Sequence, residues 1–379
     1  MRKRALAVGD RAWYLIFLGA FAITTLVNTG GVRTALVGTA PPDPAGALAA
    51  LAVFTLIAVK SLWRKGFLWR SAADLTWADF LPGTRERVLY ARLVWAGVWR
   101  LGLLAYAGAV LARTHEVPPA HLAVVVSVGG AALLVALDRG RRAVPTAGRA
   151  ALVHAWGERV VRSVALSFLD PMMMLPPAGR VSLGGRVTAL RLAVIGVLSR
   201  ARYLVDALVL AVVVVIVHRV FPALSPTWPV AIAGYLALVP FGGGLADLWR
   251  NPGRRRWLSG SDTAIRVTHG ALIALVGAVW TALVLAGCAI FGQGLAMPHT
   301  LLVMLVVSAA VVRTVARPMP SYDDLMIVDV GFGLVPMRLV VQTVRGPDVA
   351  LLGVLILSGA GLLESCVVAA LVVAVCVLR

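Results

Sequence analysis

Three ionisable side chains stand inside or beside long apolar runs: Arg100, Asp206 and Glu364. A charge at the centre of a bilayer costs about 2.5–3.5 kcal/mol even on the gentlest scale, so such residues are by default candidates for a substrate or ion pathway. Each also has a plainer reading. Arg100 and Asp206 fall near the expected cytoplasmic ends of their helices, where a long side chain can snorkel to water. Glu364 follows Ser358-Gly359-Ala360-Gly361, a stretch able to break a helix, and is expected at the apex of a broken hairpin. It is the most interesting of the three.

Other chemistries lack their parts. A nucleotide-hydrolysing loop ends in Gly-Lys, because backbone amides and one lysine hold the β and γ phosphates. The only lysines are Lys3, Lys60 and Lys65, none preceded by glycine, so any ATP chemistry belongs to another chain. Leu258-Ser259-Gly260-Ser261 is similar to the signature loop of ABC ATPases but stands alone, and Gly242-Gly243-Gly244 follows no strand and suits close helix packing. His115-Glu116 runs into Val117-Pro118-Pro119, and the next histidine, His121, is wrongly spaced for a metalloprotease helix. The remaining histidines sit near span ends, and Cys288, Cys366 and Cys376 lie in apolar segments without ligand spacing. A membrane prenyltransferase needs two aspartate-rich motifs for magnesium and diphosphate, whereas Asp323-Asp324 with Asp329 is one cluster, placed to balance Arg313, Arg317 and Arg338 or to cap a helix. No catalytic, cofactor or metal site is expected.

The elements that must carry these residues follow from composition. Of 379 residues, 60% are apolar and 14% charged, against roughly 25% charged in a soluble domain. Apolar runs approach the ~20 residues that cover ~30 Å of hydrocarbon. They predict spans at 12–30, 46–63, 94–112, 120–137, 203–221, 229–246, 270–291 and 299–316. The last block, 349–378, is long for one helix and short for two, giving nine or ten. Backbone amides in hydrocarbon must be satisfied within the segment, so the fold class is an all-α integral membrane protein, a polytopic helical bundle. With the amino terminus inside, 32 of the 36 lysines and arginines fall on the cytoplasmic side, leaving outside Arg33, Arg113, Arg219 and, if the last block crosses once, Arg379. That bias accounts for the net charge of +19 without nucleic acid, and makes anionic inner-leaflet lipid a partner.

A repeat is visible at an offset of 177–180 residues. Leu68-Trp69-Arg70 returns as Leu248-Trp249-Arg250, Phe80-Leu81-Pro82-Gly83-Thr84 as Trp257-Leu258-Ser259-Gly260-Ser261, and Pro119-Ala120-His121 as Pro298-His299. A duplicated four-span unit divides the chain into 1–202, 203–348 and a carboxyl-terminal membrane segment, 349–379.

The stretch from Asp74 to Arg87, with Leu81-Pro82-Gly83-Thr84-Arg85 at its centre, resembles the loop between spans two and three of exporter-type ABC transporter permeases. The 171–177 stretch and Arg345-Gly346-Pro347-Asp348 look like a group of such permeases from high-GC bacteria. The resemblance implies a transport subunit without its own catalysis, in a bacterial plasma membrane, docking a separate ABC ATPase. Residues 74–90 and 254–266 would be the docking helices, with Leu81, Pro82, Gly83, Arg85, Arg87, Leu258, Gly260 and Asp262 in the loops that dock. A second copy or a second permease would complete the transporter. Two further readings stand beside it: an ion-coupled secondary transporter, and an intramembrane lipid or isoprenoid enzyme using Asp323, Asp324, Asp329 and Glu364.

Overall fold

A computed structural model describes residues 20–78, 80, 83–167, 175, 178–179, 181, 188–256, 258, 260–317, 326–329 and 334–378. The chain forms two compact units: Met1–Glu158 with Arg219–Leu224, and Arg159–His218 with Ser225–Arg379.

The first unit opens with α1 (residues 20–27) and α2 (Thr29–Leu36), separated at Asn28, whose side chain caps α2 by accepting from Gly31 N at 3.1 Å. The span expected at 12–30 is therefore interrupted in its described part. Then come α3 (Pro44–Trp63), α4 (Ala72–Ala78), α5 (Thr84–His115), α6 (Pro119–Thr146) and the start of α7 (Arg149–Ser167). Pro44 and Pro119 each stand at the first helical turn, where the missing N–H costs nothing, and the turn at Glu116 with Pro118 stops α5. The spans α3, α5 and α6 pack pairwise around Val59, Leu62, Leu133 and Ala136. At the arginine-rich end a second cluster, Phe67, Leu75, Leu89, Leu93, Val144 and Leu152, fastens α4 and the approach to it. There the Arg92 guanidinium lies 3.4 Å over the Trp69 ring and donates to the Trp69 carbonyl, while Trp156 stacks on the same ring at 5.1 Å.

The second unit holds α8 (Ala189–Leu198), α9 (Leu204–Val220) up to His218, α10 (Thr227–Leu238), α11 (Gly243–Arg250), α12 (Pro252–Arg256), α13 (Asp262–Ile290) and α14 (Met297–Val315). A two-stranded hairpin, β1 (Ile327–Asp329) against β2 (Leu334–Pro336), precedes α15 (Met337–Val344), α16 (Pro347–Gly359) and α17 (Leu362–Val373), which ends in a π turn. α10 and α11 form one span, tightened at Pro240, which cannot donate to the helical ladder. α14 is the central helix, flanked by α10, α13, α16 and α17. Its Ser308, Ala309 and Ala310 let neighbours approach closely, as helices do where lipid provides no hydrophobic drive.

Among the described residues, seven helices are long and apolar enough to span. Their outer faces carry Leu56, Trp95, Val128, Leu275 and Ile290, all more than half exposed, an arrangement tolerable only in lipid. The chain is an all-α polytopic membrane protein. α5 begins ten residues before its expected span and α13 eight, so both extend beyond the hydrocarbon at their amino ends.

The last apolar block is a helical hairpin. α16 is 13 residues long and α17 with its π turn 17, about 20 and 25 Å, both short of the ~30 Å of hydrocarbon. They turn at Ala360–Gly361, and Gly353 faces both Val306 of α14 and Val372 of α17. Asp348 and Cys376 both lie beside Arg313, so the hairpin returns to the end from which it entered.

Candidate functional site

The expected docking residues fall on two elbows built alike. In the first unit, α4 stops at Ala78 and the chain turns through Gly83 at φ +74° into α5, the longest helix. In the second, α12 stops at Arg256 and the chain turns through Gly260 at φ +135° into α13. Both values lie where a Cβ is strained, so glycine is required at each turn. Glu86 and Asp262 follow in the first helical turns, favourable against the positive end of the helix dipole. Residues 74–90 and 254–266 are thus corners between a short helix and a long one, not independent helices.

Trp77 and Phe80 are 77% and 79% exposed, Arg87 is exposed, and Arg85 half-buried. In the second corner Leu258 packs on the core and Asp262 pairs with Arg255 at 3.2 Å. Leu81 and Pro82 lie outside the described residues, as do Asp323 and Asp324 and most of the 171–177 stretch.

Arg100 is not at a helix end. It sits sixteen residues into α5, level with the last turn of α3, donating from Nε to Ser61 Oγ at 2.6 Å and from Nη1 to the Ala96 carbonyl at 2.8 Å. Both residues line a cavity of about 460 Å³ whose other walls, Phe54, Ile57, Trp99 and Leu103 among them, are almost wholly apolar. Asp206 occupies the first turn of α9, again facing a positive helix end. Glu364 is exposed just past the hairpin apex and accepts from Gly361 N at 3.1 Å. Its carboxylate therefore satisfies one of the amides that breaking the helix released. The three intramembrane candidates do not converge on one site.

Three features escape a reading by sequence. First, three of the four arginines that break the charge bias are held, Arg379 lying outside the described residues. Arg33 pairs with Glu116 at 2.7 Å, Arg113 donates to the Leu26 carbonyl at 2.8 Å, and Arg219 grips Asp43 through Nε at 2.5 Å and Nη2 at 3.3 Å. Asp43 also caps α3 through Gly46 N at 2.9 Å, and its backbone N–H reaches His115 Nδ1 at 3.3 Å. The Arg219 hydrogen bond is the main reason the Asp43 carboxyl is held below its ordinary 3.8. An Asp-Pro pair opening a span was the available signal.

Second, Arg200, only 3% exposed, pairs with Asp247 at 2.8 Å and donates to the Gly196 carbonyl at 3.1 Å. The backbones of α8 and α11 cross beside it so tightly that a Cβ on Gly244 would stand 2.6 Å from the Gly196 Cα. Third, six arginines of the second unit converge on one cavity. No three His, Cys, Asp or Glu side chains come together among the described residues. A scan against protein-family models finds no match for this chain, and searches of curated proteins and of solved structures find none either.

Proposed function

We propose that this chain is the membrane subunit of an ABC-type exporter, standing in a bacterial plasma membrane with its arginine-rich end in the cytoplasm and energised by a separate ATPase. The observation that carries the reading is the repeated corner: a glycine at positive φ leading into a helix longer than a bilayer requires, once per unit. α13 starts 178 residues after α5, and α14 starts 178 after α6, within the offset of the sequence matches. Helices of 32 and 29 residues are about 48 and 44 Å long. A push on either corner reaches the far face through one continuous rod. Export suits such levers, because a partner that closes on ATP needs a stiff connection rather than a catalytic group in the membrane.

The test is purification of the tagged chain in mild detergent from its native host, beside the Pro82→Ala/Gly83→Leu and Gly260→Leu variants. A stoichiometric P-loop ATPase is expected with the unaltered chain and at least tenfold less with either variant, the loss typical of a disrupted interface anchor. A chain that purifies alone, monodisperse and heat-stable, refutes the reading and leaves gradient-driven transport in its place.

A further inference from the structure

The second unit has a cavity of about 700 Å³ at its arginine-rich end, within the ~300–1,000 Å³ range of small-molecule sites. Arg250, Arg255, Arg266, Arg313, Arg317 and Arg345 line it, brought there by the end of α11, by α12, by the first turns of α13, and by the end of α14 and the residues beyond it and α15. Asp262 pairs with Arg255 at 3.2 Å, and Asp348 reaches Arg313 at 3.7 Å.

This is more than the general basic bias of the loops. The Nε atoms of Arg266 and Arg313 are buried and meet no acceptor among the described residues, although a buried guanidinium N–H is costly to leave unmade. Arg317 is 4% exposed. Trp249 holds Arg255 and Arg266 in place, their guanidinium carbons 4.8 and 6.0 Å from its ring.

We infer that the cavity binds a phosphate-bearing anion, recognised by the Arg266 and Arg313 guanidinium groups. Their planar forks match the oxygens of a phosphate in pairs, and converging, half-buried like charges are stabilised by an anion between them. The site stands at the ends of the spans α13 and α14, and its Val375 and Ala316 offer an apolar edge. A phospholipid headgroup and free phosphate share this chemistry. The inference does not depend on the exporter reading.

The experiment uses full-length protein stripped of lipid in detergent and titrated with phosphatidylglycerol or phosphatidylcholine under native mass spectrometry. Inorganic phosphate is titrated separately in thermal unfolding. Arg266→Gln/Arg313→Gln should bind phosphatidylglycerol at least about tenfold more weakly than the unaltered chain, the loss expected for a charged hydrogen-bond donor. Arg254→Gln/Arg256→Gln, altered at exposed positions outside the cavity, should bind normally. Protection by inorganic phosphate alone, lost in the same double variant, assigns the site to a soluble phosphate instead of lipid. Equal retention of both ligands by the unaltered chain and the glutamine variant overturns the inference, as does equal weakening in the Arg254/Arg256 control. If the glutamine variant does not fold, Arg266→Lys/Arg313→Lys keeps the charge and removes the fork. A severalfold loss is then expected, and unchanged affinity refutes recognition by guanidinium.

Discussion

Replacing Arg219 with methionine removes the guanidinium that holds Asp43 by two hydrogen bonds, at 2.5 and 3.3 Å, across 176 residues of sequence. Both side chains are a little under a third exposed. The loss should therefore exceed the ~0.2–1 kcal/mol of a surface pair and approach the ~1.5–3 kcal/mol of a hydrogen bond to charge; we expect about 1.5 kcal/mol. Asp43→Asn should cost about the same, since asparagine caps α3 as well as aspartate does, whereas Asp43→Ala forfeits the cap and about 1 kcal/mol more. The double variant Arg219→Met/Asp43→Asn should cost little more than either single change, because both remove one interaction.

Unfolding by SDS in mixed micelles, followed by tryptophan fluorescence, measures each difference. The pH dependence fixes the cause. Arg219 lowers the folded-state value of Asp43 below 3.8, so the stabilisation is complete above that value and fades as pH falls through the lower, folded one. The gap between the unaltered chain and Arg219→Met should thus stay constant from pH 7 to about 5 and narrow below 3.8. A gap under about 0.5 kcal/mol at pH 7, strict additivity of the single changes, or a gap that ignores acid would each refute the argument.

Asp247→Ala strands the nearly buried Arg200 and should cost about 2–3 kcal/mol, less than a fully buried pair because Asp247 is half exposed; Arg200→Met should be milder, and the same SDS titration compares them. Gly244→Ala drives a Cβ into the α8 backbone and should destabilise by about 1–3 kcal/mol, while Gly130→Ala, with open space around it, should be neutral or stabilising by about 0.5–1 kcal/mol. Arg100→Met leaves no orphaned partner, since Ser61 already donates to the Ala58 carbonyl at 2.8 Å, so stability should hold within about 1 kcal/mol. If the proposed ATPase co-purifies, its stimulation by this variant in nanodiscs should fall where the cavity serves transport and hold where it does not.

The spans were legible because hydrocarbon leaves the backbone no alternative to a helix, so run length alone located seven of them to within a few residues, apart from the carboxyl end of α6, which runs nine residues past its expected limit, and the amino ends of α5 and α13. Those two amino ends overran because Arg85, Glu86 and Arg87 look like loop once lipid is the only criterion yet are good helix formers in water, and because the Ser261 cap and Asp262 suit a first helical turn. That error displaced Arg100 from mid-helix to a supposed end. The break at Gly359–Gly361 was readable from its small residues, and the placement of Glu364 with it. Pairings such as Asp43 with Arg219 were not, because no periodicity records contacts between segments so far apart. The arginines lining the second-unit cavity were all counted in the charge bias. Their convergence depends on how α11, α13 and α14 end together, which counting does not reveal.

Because the carboxyl-terminal hairpin leaves by the face it enters, the last thirty residues carry no polar segment across the bilayer during biogenesis. Earlier connections require a loop to be translocated, some with arginines aboard; this one requires only that an apolar wedge slide in beside α14. Withdrawing it breaks packing and the Glu364 cap, and draws one charge, the Glu364 carboxylate, back through hydrocarbon, where a full span would have to move a whole polar loop.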